Sequence, residues 1–159
     1  MRALSGALLL AAAMCGLPSV TSAQEVAPSA WRVECSGDGK TLNCTALQQL
    51  FLKETRQLVA QVSVSLAQRA PQMTILLPLG VNVSEPVEVQ VDNGEVRRFR
   101  IDTCANSGCF VTLAPDDRFV SELRAGSQFK IALHDTAKRP VRIEIPLLGF
   151  GLALDKLLQ

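Results

Sequence analysis

The sequence contains no tyrosine, one tryptophan, six phenylalanines and a single histidine. Proteins that bind single-stranded nucleic acid commonly stack bases on aromatic side chains, so this composition leaves little material for a groove of that kind. No His-Glu-x-x-His, calcium-loop, phosphate-loop or Gly-x-Ser-x-Gly motif is present in the chain. The usual sequence signatures of zinc proteases, calcium sensors, nucleotide-binding proteins and serine hydrolases are therefore missing.

An excess of charge of either sign is also missing. The 16 basic residues include Arg2, so loss of an N-terminal leader leaves the basic and acidic residues equal in number. This balance argues against nucleic acid as a partner. Arg97, Arg98 and Arg100 form the one local basic cluster. Since alternate residues of a strand face opposite ways, we interpret the cluster as a solvated strand edge rather than a binding patch.

Long apolar runs are confined to the N-terminus. Residues 1–23 have the three parts of a secretory signal peptide, with Arg2 at the positive start, an apolar stretch over 3–17 and small residues at its end. Pro18 interrupts the apolar stretch, and this pattern predicts cleavage before Gln24. We therefore predict an exported protein that is periplasmic, outer-membrane associated or secreted.

Two other assignments of this N-terminal stretch fit less well. A membrane-spanning helix needs about 20 apolar residues, and this run is shorter. A lipid anchor would use Cys15, but Met14 is a poor residue directly before an acylated cysteine. The mature chain is then predicted to have a flexible lead-in over 24–30, one domain over 31–159 and no transmembrane segment.

The four remaining cysteines form two closely spaced pairs, Cys35 with Cys44 and Cys104 with Cys109. An even number of cysteines in an exported chain predicts disulfides, although the sequence alone permits three connectivities. Local pairing is favoured because each pair encloses a loop rich in glycine, serine and asparagine. The spacings do not match zinc knuckles or a redox-active Cys-x-x-Cys site.

Alternation of apolar and polar residues predicts strands through most of the mature chain. The clearest stretches are 57–66, 87–92, 128–133 and 141–145. Asp92-Asn93-Gly94 predicts a hairpin with a type I′ turn. Residues 46–53 are ambiguous, because Leu47, Leu50 and Phe51 have helical spacing whereas the neighbouring cysteine pair favours a strand.

Two segments depart from this alternation and predict helices. Asp116 or Asp117 is suited to cap a short helix near 116–125, which Gly126 would end. At the C-terminus one apolar helix face is formed by Phe150, Ala153, Leu154, Leu157 and Leu158. Many short antiparallel strands with two helices predict an all-β, single-domain antiparallel β-sandwich or barrel-like fold.

His134, beside Asp135, is the one candidate general base. It precedes a polar run, 135–140, that predicts a hairpin loop, and an exposed loop is a poor support for a catalytic base. We therefore predict no catalytic, cofactor-binding or metal-binding residues and expect the protein not to be an enzyme. The four paired cysteines are the predicted structural site residues.

Blocks along the domain resemble a known family. They are Trp31-Arg32-Val33-Glu34-Cys35, Cys44, Leu77-Pro78-Leu79-Gly80-Val81, Val91-Asp92-Asn93-Gly94, Cys104, Gly108-Cys109-Phe110, Leu148-Gly149-Phe150 and Ala153-Leu154-Asp155-Lys156-Leu157. In this order and spacing they are similar to the invasion associated locus B family. That resemblance implies an all-β exported envelope protein of alphaproteobacteria without known catalytic activity, in a family named after a virulence factor that assists entry into host erythrocytes.

The function that these observations favour is binding to an envelope or host-surface protein. One alternative is a structural or chaperone-like periplasmic factor that pairs a sheet edge with its partners by strand addition. A periplasmic hydrolase that uses His134 is the weaker alternative. An exposed and uncharged edge strand would favour the chaperone-like role over the others.

Overall fold

The computed structural model describes residues 31–37 and 41–159. The predicted signal peptide, 1–23, and the predicted lead-in, 24–30, lie outside the described residues. Ten strands and two helices are present in this part of the chain. The strands are β1 Arg32–Gly37, β2 Leu42–Phe51, β3 Leu58–Ala67, β4 Ala70–Leu77, β5 Val87–Val91, β6 Arg97–Phe99, β7 Thr103–Ala105, β8 Gly108–Leu113, β9 Gln128–His134 and β10 Pro140–Pro146, and the helices are α1 Asp117–Ala125 and α2 Phe150–Leu157.

The strands form two antiparallel sheets. The larger sheet has six strands in the order β1-β2-β3-β4-β8-β7, and the smaller has four in the order β10-β9-β5-β6. Strands that follow each other along the chain mostly lie side by side. The sandwich-like arrangement agrees with the all-β prediction, and the sheets do not close into a barrel.

A single apolar core lies between the sheets. Alternate residues of β3 and β4, including Val62, Val64 and Ile75, face inwards and are buried. Phe129 and Ile131 do the same from β9 in the smaller sheet. The alternation arises because successive side chains of a strand point to opposite faces. The period-two pattern of the sequence is therefore the pattern of burial.

The short helix α1 begins where the sequence predicts. Asp116 accepts a hydrogen bond from the backbone N–H of Phe119 at 2.7 Å, which satisfies one of the free donors of the first turn. The backbone N–H of Gly126 donates to the carbonyl oxygen of Glu122 at the other end. Phe119 and Leu123 are the buried side chains of the helix, and they anchor it to the core.

The C-terminal helix α2 buries four of the five predicted apolar residues: Phe150, Ala153, Leu154 and Leu157. Leu158 was expected on the same face, but it follows the last helical turn and is 51% exposed. Trp31 meets Phe150 edge to face, with ring centroids 4.9 Å apart. The indole N–H of Trp31 also donates to the carbonyl oxygen of Pro146 at 3.0 Å, so one aromatic residue connects the start of β1 to β10 and α2.

The structure decides one ambiguous prediction and contradicts another. Residues 46–51 belong to the long strand β2, so the helical spacing there is coincidental. The type I′ prediction for Asp92-Asn93-Gly94 is wrong. β5 and β6 do form a hairpin, but their loop runs over 92–96, and of the three residues only Asp92 has a positive φ, 48°. The carboxylate of Asp92 bonds to the backbone of Ser127 and Gln128, so tertiary contacts determine the turn.

The connections give the sandwich two different ends. Both helices follow strands at one end, which we call the helical end. The opposite end, the loop end, is formed by connections 52–57, 78–86, 106–107 and 135–139. Val81 bridges to Asp135, and the backbone N–H of Asn82 donates to the carbonyl oxygen of His134, so loops from the two sheets meet there.

Replacement of Phe150 by alanine tests how far the fold depends on α2. Phe150 is 1% exposed, and truncation of a buried phenylalanine costs about 3–5 kcal/mol of unfolding free energy. Chemical denaturation followed by circular dichroism should therefore show a large decrease in the midpoint. Leu152→Ala is the matched control, because Leu152 lies on the same helix and is 71% exposed. Equal midpoints for both variants would contradict the anchoring role.

Candidate interaction surfaces

Both edge strands of the larger sheet are held by disulfides. Cys35 of β1 is joined to Cys44 of β2, and Cys104 of β7 is joined to Cys109 of β8. In each case the two cysteines are direct register partners across an antiparallel pair. The local pairing that the sequence favours is thus the pairing in the structure. Its physical effect is that neither β1 nor β7 can separate from its neighbour while the bond is intact.

The free edge of the smaller sheet is β10, and its hydrogen-bonding pattern is set by two flanking bonds. Backbone N–H groups of Asp135 and Leu147 donate to the carbonyl oxygens of Arg139 and Ser127. An antiparallel ladder alternates bonded and non-bonded pairs. The backbone groups of β10 that point away from β9 therefore belong to residues 140, 142, 144 and 146.

Proline occupies the first and the last of these outward positions. Pro140 and Pro146 have no N–H, and the carbonyl oxygen of Pro146 already accepts from Trp31. Arg142 and Glu144 supply the two remaining outward N–H groups, and both side chains are exposed and charged. Prolines and charges are the usual protection of a sheet edge against another strand. This edge is poorly suited to strand addition.

The opposite edge, β6, is covered by a charged residue that points inwards. Arg97 has a side chain only 15% exposed, lies 4.1 Å from the ring centroid of Phe119 and bonds to Glu122 at 2.9 Å. The interpretation of Arg97 as part of a solvated edge is therefore wrong. Its guanidinium lowers the pKa of the Glu122 carboxyl by hydrogen bonding, and Glu122 raises the pKa of Arg97. Arg98, on the other face, pairs with Glu88 at 2.8 Å.

His134 lies at the end of β9 rather than in the following loop. Its Nδ1 is 2.7 Å from Glu85 Oε2, and both side chains are more than a third exposed. Glu85 comes from the β4–β5 connection, and the sequence gives no pattern that links it to His134. The pair is held at the surface by the backbone bond between Asn82 and His134.

A shallow trough of about 310 Å³ runs beside this pair on the outer face of the smaller sheet. Ala132 forms its floor, between Arg142 on β10 and Glu88 on β5, because these three residues are register partners. The trough thus carries charges of both signs around a small side chain. Its lining includes no serine, threonine, cysteine or lysine that could serve as a nucleophile beside His134.

Exposed apolar side chains lie at the tip of the β2–β3 hairpin. Phe51 is 47% exposed and Leu52 is 49% exposed. Sequence reasoning assigned these residues to an ambiguous segment and did not identify them as a surface feature. The sequence feature that could have identified them is a pair of adjacent large apolar residues at the end of a strand, because strand alternation buries only one residue of such a pair.

No helix among the described residues is long and apolar enough to cross a bilayer. Residues 31–37 and 41–159 contain no group of three or more histidine, cysteine, aspartate or glutamate side chains arranged to hold a metal ion.

Comparison with known proteins identifies relatives over almost the whole domain. The sequence model of the invasion associated locus B (IalB) protein family matches residues 31–158. Invasion protein B of Bartonella bacilliformis is 30% identical over 146 residues, which cover 89% of this chain and 78% of that protein. An invasion protein B homologue of Brucella abortus is 25% identical over 150 residues, which cover 93% of this chain and 87% of that protein.

A solved structure shares the fold. The crystal structure of invasion associated protein B from Bartonella henselae is 30% identical to this chain and superposes with a TM-score of 0.75. The superposition covers 82% of this chain and 91% of that chain. The sandwich with its two helices is therefore similar to a known architecture over most of its length.

Removal of the β1–β2 disulfide should destabilise the protein. A bond that closes a loop of this length contributes roughly 2–3 kcal/mol in the chain-entropy description. We expect a double variant, Cys35→Ala with Cys44→Ala, to lose about that much unfolding free energy in urea. Glu34→Ala on the same strand is the control and should unfold like the wild type. A Cys35–Cys104 peptide in a non-reduced digest would contradict the pairing.

Stability should decrease in acid. Backbone N–H groups of Ser127 and Gln128 lower the pKa of Asp92 below 3.8, and Arg97 lowers that of Glu122 below 4.5. A carboxyl with a depressed folded-state pKa stabilises the fold above its unfolded pKa, and this stabilisation is lost as the pH falls through the folded value. The urea midpoint should therefore be level near neutrality and fall below a pH of about 4.5.

Asp92→Asn provides the comparison for this acid dependence. The amide cannot take up the proton, so the variant should show a shallower decrease of the urea midpoint with falling pH than the wild type. Parallel profiles for the two proteins would show that Asp92 does not contribute to the acid dependence.

Proposed function

The chain belongs to the invasion associated locus B family, and on that premise we propose that it is an exported cell-envelope protein that acts by binding an envelope or host-surface protein. The relatives from Bartonella bacilliformis and Brucella abortus are named invasion protein B and invasion protein B homologue. A signal peptide over 1–23, cleaved before Gln24, would deliver residues 31–159 as one domain into an oxidising compartment. The cross-strand disulfides are suited to such a compartment, since they persist where thiols are not kept reduced.

One observation supports the binding role: a rigid β framework presents exposed side chains in a trough on one sheet face and at a hairpin tip. Disulfides fasten β1 and β7, and prolines and charged residues protect β10, whereas the trough near Ala132 and the tip at Phe51 remain open to solvent. A rigid scaffold that presents side chains on loops and sheet faces is the common arrangement of binding domains. A covalent hydrolase that uses a histidine base needs a nucleophilic side chain within hydrogen-bond distance of it, and the trough offers His134 without a serine, threonine or cysteine among its lining residues.

The chaperone-like alternative would need a free edge that accepts a strand. β10 is the longest edge strand of the smaller sheet, and its outward positions carry Pro140, Arg142, Glu144 and Pro146. These residues disfavour the addition of a partner strand there. The chemistry of the β10 edge therefore argues against strand addition at the smaller sheet and supports recognition through side-chain surfaces there.

Partner capture in intact cells tests the proposal. A photo-crosslinking residue would be placed at exposed positions around the trough, such as Arg142, and at the helical end, such as Leu152. We expect a discrete crosslinked protein partner from at least one position, identified by mass spectrometry. Absence of any specific adduct from positions that sample both faces and both ends would contradict a protein-binding role.

His134→Ala tests the histidine-dependent hydrolase directly. The side chain is half exposed and its one charged contact is with Glu85, so removal should leave folding intact. We expect this variant to complement a deletion strain as well as the wild type does. Phe150→Ala serves as the comparison that should fail through destabilisation. Loss of complementation by a folded and exported His134→Ala protein would favour the hydrolase, or a binding role for the trough.

A further inference from the structure

We propose that the loop end docks against an anionic lipid surface through the tip of the β2–β3 hairpin, with Phe51 and Leu52 inserted among the lipids and Lys53 and Arg56 in contact with their phosphates. This membrane contact goes beyond the protein partner proposed above and does not depend on it. The occupant is the anionic bilayer surface itself. The argument rests on the exposure, the shape and the charge of the tip.

Exposure is the first observation. In a regular strand, alternate side chains face inwards, so of two adjacent residues such as Phe51 and Leu52 one would be buried. The ladder between β2 and β3 shifts its register between Leu50 and Phe51, where Leu50 pairs with Ala60 and Phe51 pairs with Leu58. Such a bulge re-aims the side chains beyond it. Phe51 lies beyond this shift and Leu52 lies beyond the end of β2, and both apolar side chains are about half exposed.

The tip is also a preformed structure. The backbone N–H of Leu52 donates to the carbonyl oxygen of Gln57 at 2.9 Å, and that of Arg56 donates to the carbonyl oxygen of Leu52 at 2.9 Å. Arg56 has a φ of 58°, in the left-handed region that closes the turn. Because the backbone of the tip is already ordered, it loses little conformational entropy when the tip binds a surface. The tip forms the end of a two-stranded hairpin, a shape that suits insertion into a deformable surface.

The basic residues of the tip indicate that the surface it contacts is anionic. Lys53 and Arg56 flank the apolar pair and take part in none of the ion pairs among the described residues. Glu54 is the one acidic residue in the turn. Apolar and aromatic side chains next to basic residues form the composition that binds anionic membrane interfaces.

The rest of the loop end agrees with this orientation. Leu79 and Val83, in the β4–β5 connection, are 59% and 60% exposed. The neighbouring loop, which bonds to Gly80 through Thr136, carries Lys138. The carboxylates of Glu85 and Asp135 also lie at the loop end, but each is paired there, Glu85 with His134 and Asp135 with Arg139. End-on docking would therefore place the exposed apolar side chains and the unpaired basic groups of the tip at the lipid.

Sedimentation of the purified protein with vesicles tests the docking. Two vesicle populations are used, phosphatidylcholine with phosphatidylglycerol and phosphatidylcholine alone. We expect partition to the anionic vesicles, weakened by high salt. Phe51→Ser should reduce partition about tenfold, in keeping with the burial of one large apolar side chain. Lys53→Gln should reduce it about fivefold, as expected for one basic residue near an anionic surface.

Matched controls come from the helical end. Leu152→Ser removes a leucine that is more exposed than either apolar residue of the tip, and Lys156→Gln removes an exposed lysine, so both should bind like the wild type. The indole fluorescence introduced by Leu52→Trp should in addition be quenched by brominated lipid, whereas that introduced by Leu152→Trp should not. The proposal is overturned if the wild type fails to bind anionic vesicles or binds both vesicle populations equally. It is also overturned if tip and control variants are equally affected, or if the tip instead joins two copies of the chain without lipid.

Discussion

Restraint of the four edge strands is the feature on which the rest of the structure depends. A two-layer sandwich with open sheets exposes four rows of unpaired backbone groups, and each row invites pairing with another chain. This protein restrains each edge strand differently. Disulfides fasten β1 and β7, prolines interrupt β10, and an inward-pointing arginine over an aromatic ring covers β6. Strands that would be unstable as isolated hairpins are held in the two sheets in this way, and their inward side chains form the core.

The sequence predicts those features that depend on local chemistry. Alternation located the strands, the acidic cap located α1, and the spacing of Phe150, Ala153 and Leu154 located α2. Local disulfide pairing followed from the loops inside each cysteine pair. These predictions succeed because the relevant interactions join residues that are close along the chain. The same reason explains why the fold class could be stated before the strand order.

Features that depend on distant contacts were missed. Asp92 adopts its positive φ where its carboxylate bonds to Ser127 and Gln128, some 35 residues further along the chain, so its turn type differs from that of an isolated Asp-Asn-Gly sequence. Arg97 is covered because α1 supplies Glu122 and Phe119. Neither partner could be assigned without knowledge of how the helix packs on the sheet. The surface sites were missed for the same reason, since the trough combines residues of three strands and the tip depends on a bulge.

The residues that stabilise the fold and the exposed apolar side chains of the loop end lie in different parts of this molecule. The residues that hold the two sheets together are buried between them or placed at the edges and the helical end. The loop end contributes exposed side chains such as Leu52 and Val83, which contact the core little. Substitutions there change the surface without opening a cavity, so they leave the free energy of unfolding largely unaffected. A framework held at its edge strands and in its core thus leaves the side chains of the loop end open to substitution.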